Sequence, residues 1–308
     1  MRRVDAGRGS RAPSCLRAKT DTRDMRRTFV THAGQPDQGS WFADHPRAAI
    51  PATLLPFLLL GALELLPGTV VPALLYFAAA GVWALYVTPK LLGLPHGRKS
   101  LRAYCLDIRL LPMAPVGRNI LLGLAMAALT LSGILLASLL TNHFVLDWST
   151  VPGLRWVKGL TRGIWEEVYF RGIILVVLTR LYALRKAVLW TTAIFALVHF
   201  NPAEGGLAAS VAAGVDVLSI FFIGLLFAYL VLKTGSLLPA IVFHYTHDVF
   251  VNLVQNVPGA DATTASVLLY SFLWTALAIG AWLTKYTVER RLGQNRSAEP
   301  LPRDDSLD

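Results

Sequence analysis

Residues 120–141 read ILLGLAMAALTLSGILLASLLT, a run without a single ionisable side chain. A bilayer core about 30 Å thick takes roughly 20 apolar residues as a helix. In lipid the backbone polar groups must find partners within the segment itself. The stretch therefore predicts a transmembrane helix. Seven further apolar segments flank it, at 48–66, 69–87, 157–179, 186–201, 212–232, 236–256 and 265–285. The expected fold is all-α, a polytopic membrane helix bundle of about eight transmembrane helices. Segment 186–201 is short, and 157–179 and 236–256 carry polar residues.

Composition points the same way. The chain is 54% hydrophobic and 16% charged, against about 25% charged in an average soluble domain. This excludes an ordinary soluble enzyme and a disordered protein. The net charge of +10 comes with ten Lys/Arg in residues 1–47 and six in 88–119. Such clusters beside apolar runs read as membrane-flanking basic segments, so the bilayer is the expected partner and nucleic acid is not. Cys15 and Cys105 are too few for a disulfide framework or a cysteine zinc site. Residues 1–45 are Arg-, Gly- and Ser-rich and read as a disordered basic tail. Nothing upstream of Met25 reads as structural, which makes Met25 a candidate start. Residues 46–287 form the expected membrane-embedded domain, and 288–308 a second disordered tail.

Orientation follows from Lys and Arg in short loops. The N-terminal segment, loop 88–119, the connection at 180–186, the turn at Lys233 and the C-terminal tail are basic. The turn Leu66-Pro67-Gly68 and loops 142–154, 202–206 and 257–264 hold no Lys or Arg, carrying at most Asp147, Glu204 and Asp261. The alternation predicts a cytoplasmic-membrane protein with both termini cytoplasmic. Arg155, Lys158 and Arg162 dissent: they open segment 157–179 on the predicted outer side, as an interfacial turn or as the mouth of a site.

Ionisable groups within a span cost at least about 2.5–3.5 kcal/mol each on insertion scales and are functional candidates by default. Segment 157–179 contains Trp165-Glu166-Glu167-Val168-Tyr169-Phe170-Arg171, segment 186–201 runs from Phe195 to His199, and segment 236–256 contains His244-Tyr245-Thr246-His247-Asp248. Glu167 and Arg171 are i,i+4 and can pair on one face. Glu166 points about 100° away and needs a partner from another helix, with His199 the obvious one. Phe195 lies one turn before His199 and is placed to wall the same site. His244 and Asp248 are also i,i+4. A carboxylate in a low-dielectric pocket can act as general base, and an imidazole opposite can hold the same water or shuttle its proton. His244 with Asp248 can stabilise an oxyanion. No serine or cysteine nucleophile presents itself. Asp216 reads as interfacial and Glu64 as solvated near the outer turn. Trp165, Tyr169 and Phe170 read as packing or substrate-contact residues.

These blocks, in this order, resemble the CAAX protease and bacteriocin-processing family, the type II CAAX prenyl endopeptidases and their bacterial relatives. The family pattern EExxxR, FxxxH, a Phe/Gly-rich helix, then HxxxN or HxxxD is matched by Glu166 to Arg171, Phe195 to His199, Phe221-Phe222-Ile223-Gly224, and His244 to Asp248. The resemblance implies an α-helical glutamate-type intramembrane protease needing neither cofactor nor metal. It implies Glu166 with His199 as the water-activating pair, Glu167 and Arg171 as helix organisers, and His244 with residue 248 as the oxyanion hole. Phe195, Phe170 and Trp165 are the candidate substrate contacts. Asp248 departs from the Asn of the eukaryotic prenyl proteases. An ionised Asp cannot donate to an oxyanion, so it must be protonated or orient His244 as the donor. The implied substrate is a membrane-associated protein, lipidated or bearing a sorting tail, cut near its C-terminus or membrane anchor.

Three other readings compete. A catalytically silent immunity or scaffold protein of the same family would not need the intact Glu166, His199 and His244 set. A proton-coupled transporter commonly shows inverted repeats, and none is evident. A metalloenzyme on His199, His244, His247 and Glu166 lacks the HExxH spacing.

The loop-charge alternation generates a topology test. Single cysteines at Ala203 and Ser100, in a variant lacking Cys15 and Cys105, should behave oppositely toward an impermeant thiol reagent on intact cells. Ala203 should label and Ser100 should not. The reverse pattern inverts the orientation.

Overall fold

The computed structural model describes residues 45, 47–61, 70–91, 98–111, 115–141, 144–147, 153–200, 207–251, 253–256 and 269–280. Residues 1–44, Glu64, loop 202–206, the C-terminal tail and the side chains of Arg155 and Lys158 lie outside the described set.

Each of the eight expected segments contains a helix. Helix α1 spans Ala49–Gly61. Helix α2 runs through Val70–Val82, a π-helical turn Trp83–Val87, and Thr88–Leu91. Helix α3 is Arg98–Asp107 and α4 is Val116–Thr141. Helix α5 runs through Gly153–Glu167, a second π-helical turn Val168–Ile174, and Leu175–Leu181. Helices α6, α7 and α8 are Leu184–Val198, Leu207–Thr234 and Leu238–Val251, and α9 is Leu269–Gly280. Among the described residues, three helices are long and apolar enough to cross a membrane, at Val71–Leu91, Val116–Ala137 and Ser210–Thr234. The protein is an all-α membrane helix bundle.

Two features depart from the sequence expectation. The basic segment 88–119 is not all loop: α3 occupies part of it, with Tyr104 and Cys105 buried, Leu101 and Leu106 exposed, and Ile108 buried just past its end. The buried residues are few, and the segment's average polarity concealed them. The expected span 236–256 stops being helical at Val251, and Val254–Asn256 forms a strand, β2, pairing antiparallel with β1, Phe144–Leu146. The pairs are Phe144 with Asn256, Val145 with Gln255 and Leu146 with Val254. Short β-branched and aromatic runs favour extended backbone, and here one supplies the other with ladder partners that neither has alone.

The bundle has an outward apolar surface and an inward face of smaller residues. On α4, Leu121, Leu136, Leu139 and Leu140 are exposed while Ala127, Thr130, Ile134 and Ala137 are buried. Exposed leucines meet lipid without penalty, and small residues let backbones approach closely. Helix α8 packs against α4 and α5, α2 against α5, and α6 against α7. Gly163 of α5 sits where a Cβ would lie 3.3 Å from the Tyr245 backbone nitrogen.

Both π-turns are tied by side-chain donors. The Tyr104 hydroxyl donates to the Ala84 carbonyl at 3.0 Å, and the Thr191 hydroxyl to the Phe170 carbonyl at 2.9 Å. The α7–α8 turn uses Gly235 at φ +68°, a left-handed conformation that glycine takes without a Cβ penalty. Arg109, itself at φ 60°, fastens that turn. Its guanidinium donates to the Val231 carbonyl at 2.8 Å and its carbonyl accepts from the Leu237 amide at 3.0 Å. Burial lowers the Arg109 guanidinium to about 10, so it stays charged at neutral pH.

The α4–α8 contact yields a stability test. A Cβ at Gly123 would lie 2.6 Å from the Pro239 carbonyl oxygen and 2.8 Å from Val242 Cβ. Gly123→Ala should therefore cost about 1–3 kcal/mol, seen as a lower melting temperature in detergent. Gly117→Ala meets nothing within 4 Å and should leave it unchanged. Equal effects of the two would count against this packing.

Candidate active site

The site is assembled by α5, α6, α7 and α8. Glu166 and Glu167 end the α-helical part of α5, and the π-turn follows at once. π-Turns widen a helix locally and recur at functional sites. All seven residues of this one are buried.

Glu167 and Arg171 are fully buried, and Glu167 Oε1 accepts from Arg171 Nη1 at 2.9 Å. The same Oε1 accepts from His244 Nδ1 at 2.8 Å, so one carboxylate oxygen joins α5 to α8. Arg171 Nε and Nη2 make no hydrogen bond. The guanidinium carbon instead lies 4.0 Å from the Phe195 ring centre and 4.9 Å from that of Phe227, where cation–π attraction serves a desolvated cation. Helix α7 reaches this close because residue 224 is glycine: a Cβ there would meet Arg171 Nη2 and Thr192 Cγ2 at 2.9 Å.

Glu166 points to the other side, into a cavity. Its Oε2 lies 3.4 Å from His199 Nε2 and 3.7 Å from His244 Nε2, without a direct hydrogen bond. His199 caps α6 at φ −93°, ψ −2°. Its Nδ1 donates to the Phe195 carbonyl at 2.7 Å, since a carbonyl can only accept. That fixes the ring and aims Nε2 at Glu166. His244 Nε2 lies 3.5 Å from Asp248 Oδ2, and His247 Nδ1 lies 3.7 Å from Asp248 Oδ1. Phe227 stacks on His244 with ring centres 5.0 Å apart and planes 21° apart.

The cavity holds about 490 Å³ and is lined by Glu166, His199, His244, His247 and Asp248, with Phe195, Phe227 and Ile223 among its apolar walls. The structure thus brings Glu166, His199, His244 and Asp248 to one cavity. Of the three candidate substrate contacts only Phe195 lines it. Phe170 sits behind, its ring 5.0 Å from that of Phe195 and almost fully buried. Trp165 is seated on α2, with Phe77 at 5.2 Å and Gly81 beneath its ring. Both fill space between helices, because Glu166 alone of that stretch turns toward the cavity.

Sequence reasoning missed Phe227, Tyr270 and the cavity position of Asp216, whereas Gly224 stood in the Phe/Gly-rich block and Arg162 was read as an interfacial turn or the mouth of a site. Phe227 and Gly224 hold Arg171 and His244 in place. Asp216, read as interfacial, lines the cavity together with Tyr270 and Arg162. A polar residue in an apolar run was the available signal for Asp216. The Glu167–His244 bond spans 77 residues, and no local spacing announces it. Among the described residues, no group of three His, Cys, Asp or Glu is arranged to hold a metal ion.

Comparison with known families accords with this geometry. Residues 148–250 match the family model of the type II CAAX prenyl endopeptidase Rce1-like domain. The matched stretch is about a third of the chain, and Glu166, His199, His244 and Asp248 all fall within it. No curated protein and no solved structure matches the chain.

The shared oxygen of Glu167 yields a stability test. Glu167→Gln leaves the Arg171 charge buried without its counter-ion and should cost about 3–5 kcal/mol, read as a large loss of melting temperature or of folded yield. Glu166→Gln, on the cavity side, should melt close to the parent. Equal stability of Glu167→Gln and the parent would remove the clamp role.

Proposed function

We propose that the protein is an intramembrane endopeptidase that hydrolyses a peptide bond with a water activated by Glu166 and His199. The observation that carries this is the Glu166–His199 pair, 3.4 Å apart, with His199 Nδ1 committed to a backbone carbonyl. With Nδ1 carrying the proton, Nε2 of a neutral His199 is an acceptor, as is an ionised Glu166. Two acceptors facing each other suit one water that donates to both.

Hydrolysis then proceeds without a covalent intermediate. Glu166 takes a proton from the water as its oxygen bonds the substrate carbonyl carbon, and the C=O electron pair moves to the carbonyl oxygen. His244, held by Glu167 through Nδ1, presents Nε2–H to that oxyanion. Asp248 accepts rather than donates there and orients the imidazole. Both carboxylate contacts of Nε2 exceed 3.4 Å, longer than usual N–H···O bonds of about 2.7–3.2 Å, which leaves the proton available to substrate. As the C–N bond breaks, the proton on Glu166 passes to the departing amine.

A membrane-associated protein substrate, lipidated or with a sorting tail, fits a cavity within the bundle. The cavity is lined by His199, Val251 and Val254, at the end that bears the β-ribbon and where the sequence expects the loops without Lys or Arg. With both termini cytoplasmic, this end faces out of the cytoplasm, which suits a substrate processed after export.

Glu166→Gln and His199→Ala should each lower cleavage by at least about 10²-fold while leaving folded protein in the membrane, measured on a membrane-anchored substrate in proteoliposomes. Cleavage should survive exhaustive chelation. Full activity in Glu166→Gln would end its role as general base, and activity lost to chelator and restored by metal would favour the metalloenzyme reading.

A further inference from the structure

The α7 side of the cavity carries a carboxylate that the Glu/His chemistry does not use. Asp216, Ser219, Ile220, Ile223 and Phe227 all line the cavity; Asp216, Ile220, Ile223 and Phe227 follow at steps of three and four, with Ser219 beside Ile220, and form one helical stripe. The stripe begins at the reacting centre, where Phe227 stacks on His244. It ends at Asp216, about 16 Å further along at 1.5 Å per residue. Asp216 is close enough to His199 for their charges to interact.

Span Ser210–Thr234 has a mean hydropathy of 2.5, and Asp216 is its one ionisable residue before Lys233. A carboxylate in such a span is costly unless it is used. Tyr270 of α9 faces it across the cavity wall, supplying one donor to a group with about four acceptor sites. The wall around it is aliphatic, with Ile220 one turn away and Leu273 on α9. An aliphatic wall ending in a carboxylate complements a side chain with an apolar stem and a cationic head, which describes lysine and arginine. Glu166 and Asp248 share the cavity and disfavour an acidic side chain. Arg162, exposed on the cavity lining, makes an acidic preference the competing outcome.

We propose that Asp216 is the specificity-determining residue of the cavity and selects peptide substrates carrying a lysine or arginine beside the bond presented to Glu166 and His199. The placement beside a scissile bond rests on the protease reading; the preference for a cationic side chain does not, and it is measured without catalysis.

The test uses the full chain in nanodiscs with Glu166→Gln, so that nothing is cleaved. Three fluorescent, N-acetylated leucine-flanked peptide amides differ only in a central lysine, norleucine or glutamate, and binding is read by anisotropy. Lysine should bind about tenfold more tightly than norleucine, as a desolvated charge pair allows, with glutamate weakest. Adding Asp216→Asn should bring lysine and norleucine to parity, Asp216→Glu should keep the lysine preference, and Asp216→Lys should move it to glutamate. Equal binding of lysine and norleucine overturns the proposal, as does a lysine preference that survives Asp216→Asn or a glutamate preference that depends on Arg162. In parallel, the chain without substitutions is given a membrane-anchored peptide library and its cuts are mapped by mass spectrometry. Cuts beside basic residues that disappear in Asp216→Asn support the proposal, and cuts indifferent to charge overturn it. No cut at all, with the lysine preference intact in binding, retires the protease reading and leaves the cationic subsite standing.

Discussion

One oxygen atom organises the protein. Glu167 Oε1 accepts at 2.9 Å from Arg171 and at 2.8 Å from His244, with Glu167 and Arg171 wholly removed from solvent. Isolated charges in such a place are prohibitively unfavourable, and a buried pair persists only with close geometry and further partners. Here the further partners are an imidazole from α8 and two aromatic rings from α6 and α7. The α5–α8 register is fixed by the His244 bond, the α6 register by Phe195, and the α7 register by Phe227. Displacing any of these helices by one residue would strand a charge.

Bringing four helices to one buried ion pair requires short interaxial distances. Lipid offers little hydrophobic drive for helix association, so close contact of small residues has to supply it. Gly224 against Arg171, Gly163 against Tyr245 and Gly123 against Pro239 lie where the helices meet most tightly. The second and third of these hold α8 from two sides, and α8 carries His244 and Asp248. The packing glycines are thus part of how the site is positioned, although none of them lines the cavity.

How much of this was legible in the sequence depended on whether the signal was local. The helices show as apolar runs, and the Glu167–Arg171 and His244–Asp248 pairs show as i,i+4 spacings within one helix. Glu166 with His199 was inferable because a lone buried carboxylate needs a partner and few were on offer. The β-ribbon was not legible: Phe144–Leu146 and Val254–Asn256 are three residues each, too short for a period, and each is a strand only because of the other. Helix α3 was hidden by its basic neighbours. Trp165 and Phe170 were ambiguous because an aromatic beside a site residue can face either way, and only the helix's neighbours decide which.

The adjacent glutamates take two different positions in the bundle. Successive helical residues point about 100° apart, so Glu166 and Glu167 look into different surroundings while sharing one rigid backbone. Glu167 faces protein on every side and serves as a fixed counter-charge. Glu166 faces the cavity, its Oε2 lying 3.4 Å from His199 Nε2. His244 spans the two, bonded to Glu167 through Nδ1 and 3.7 Å from Glu166 through Nε2. The buried pair therefore sets the position of the ring that faces the cavity carboxylate. A helix carrying only the cavity-facing acid would leave Arg171 and His244 without their shared buried acceptor, and one carrying only the buried acid would leave the cavity without the Glu166 carboxylate.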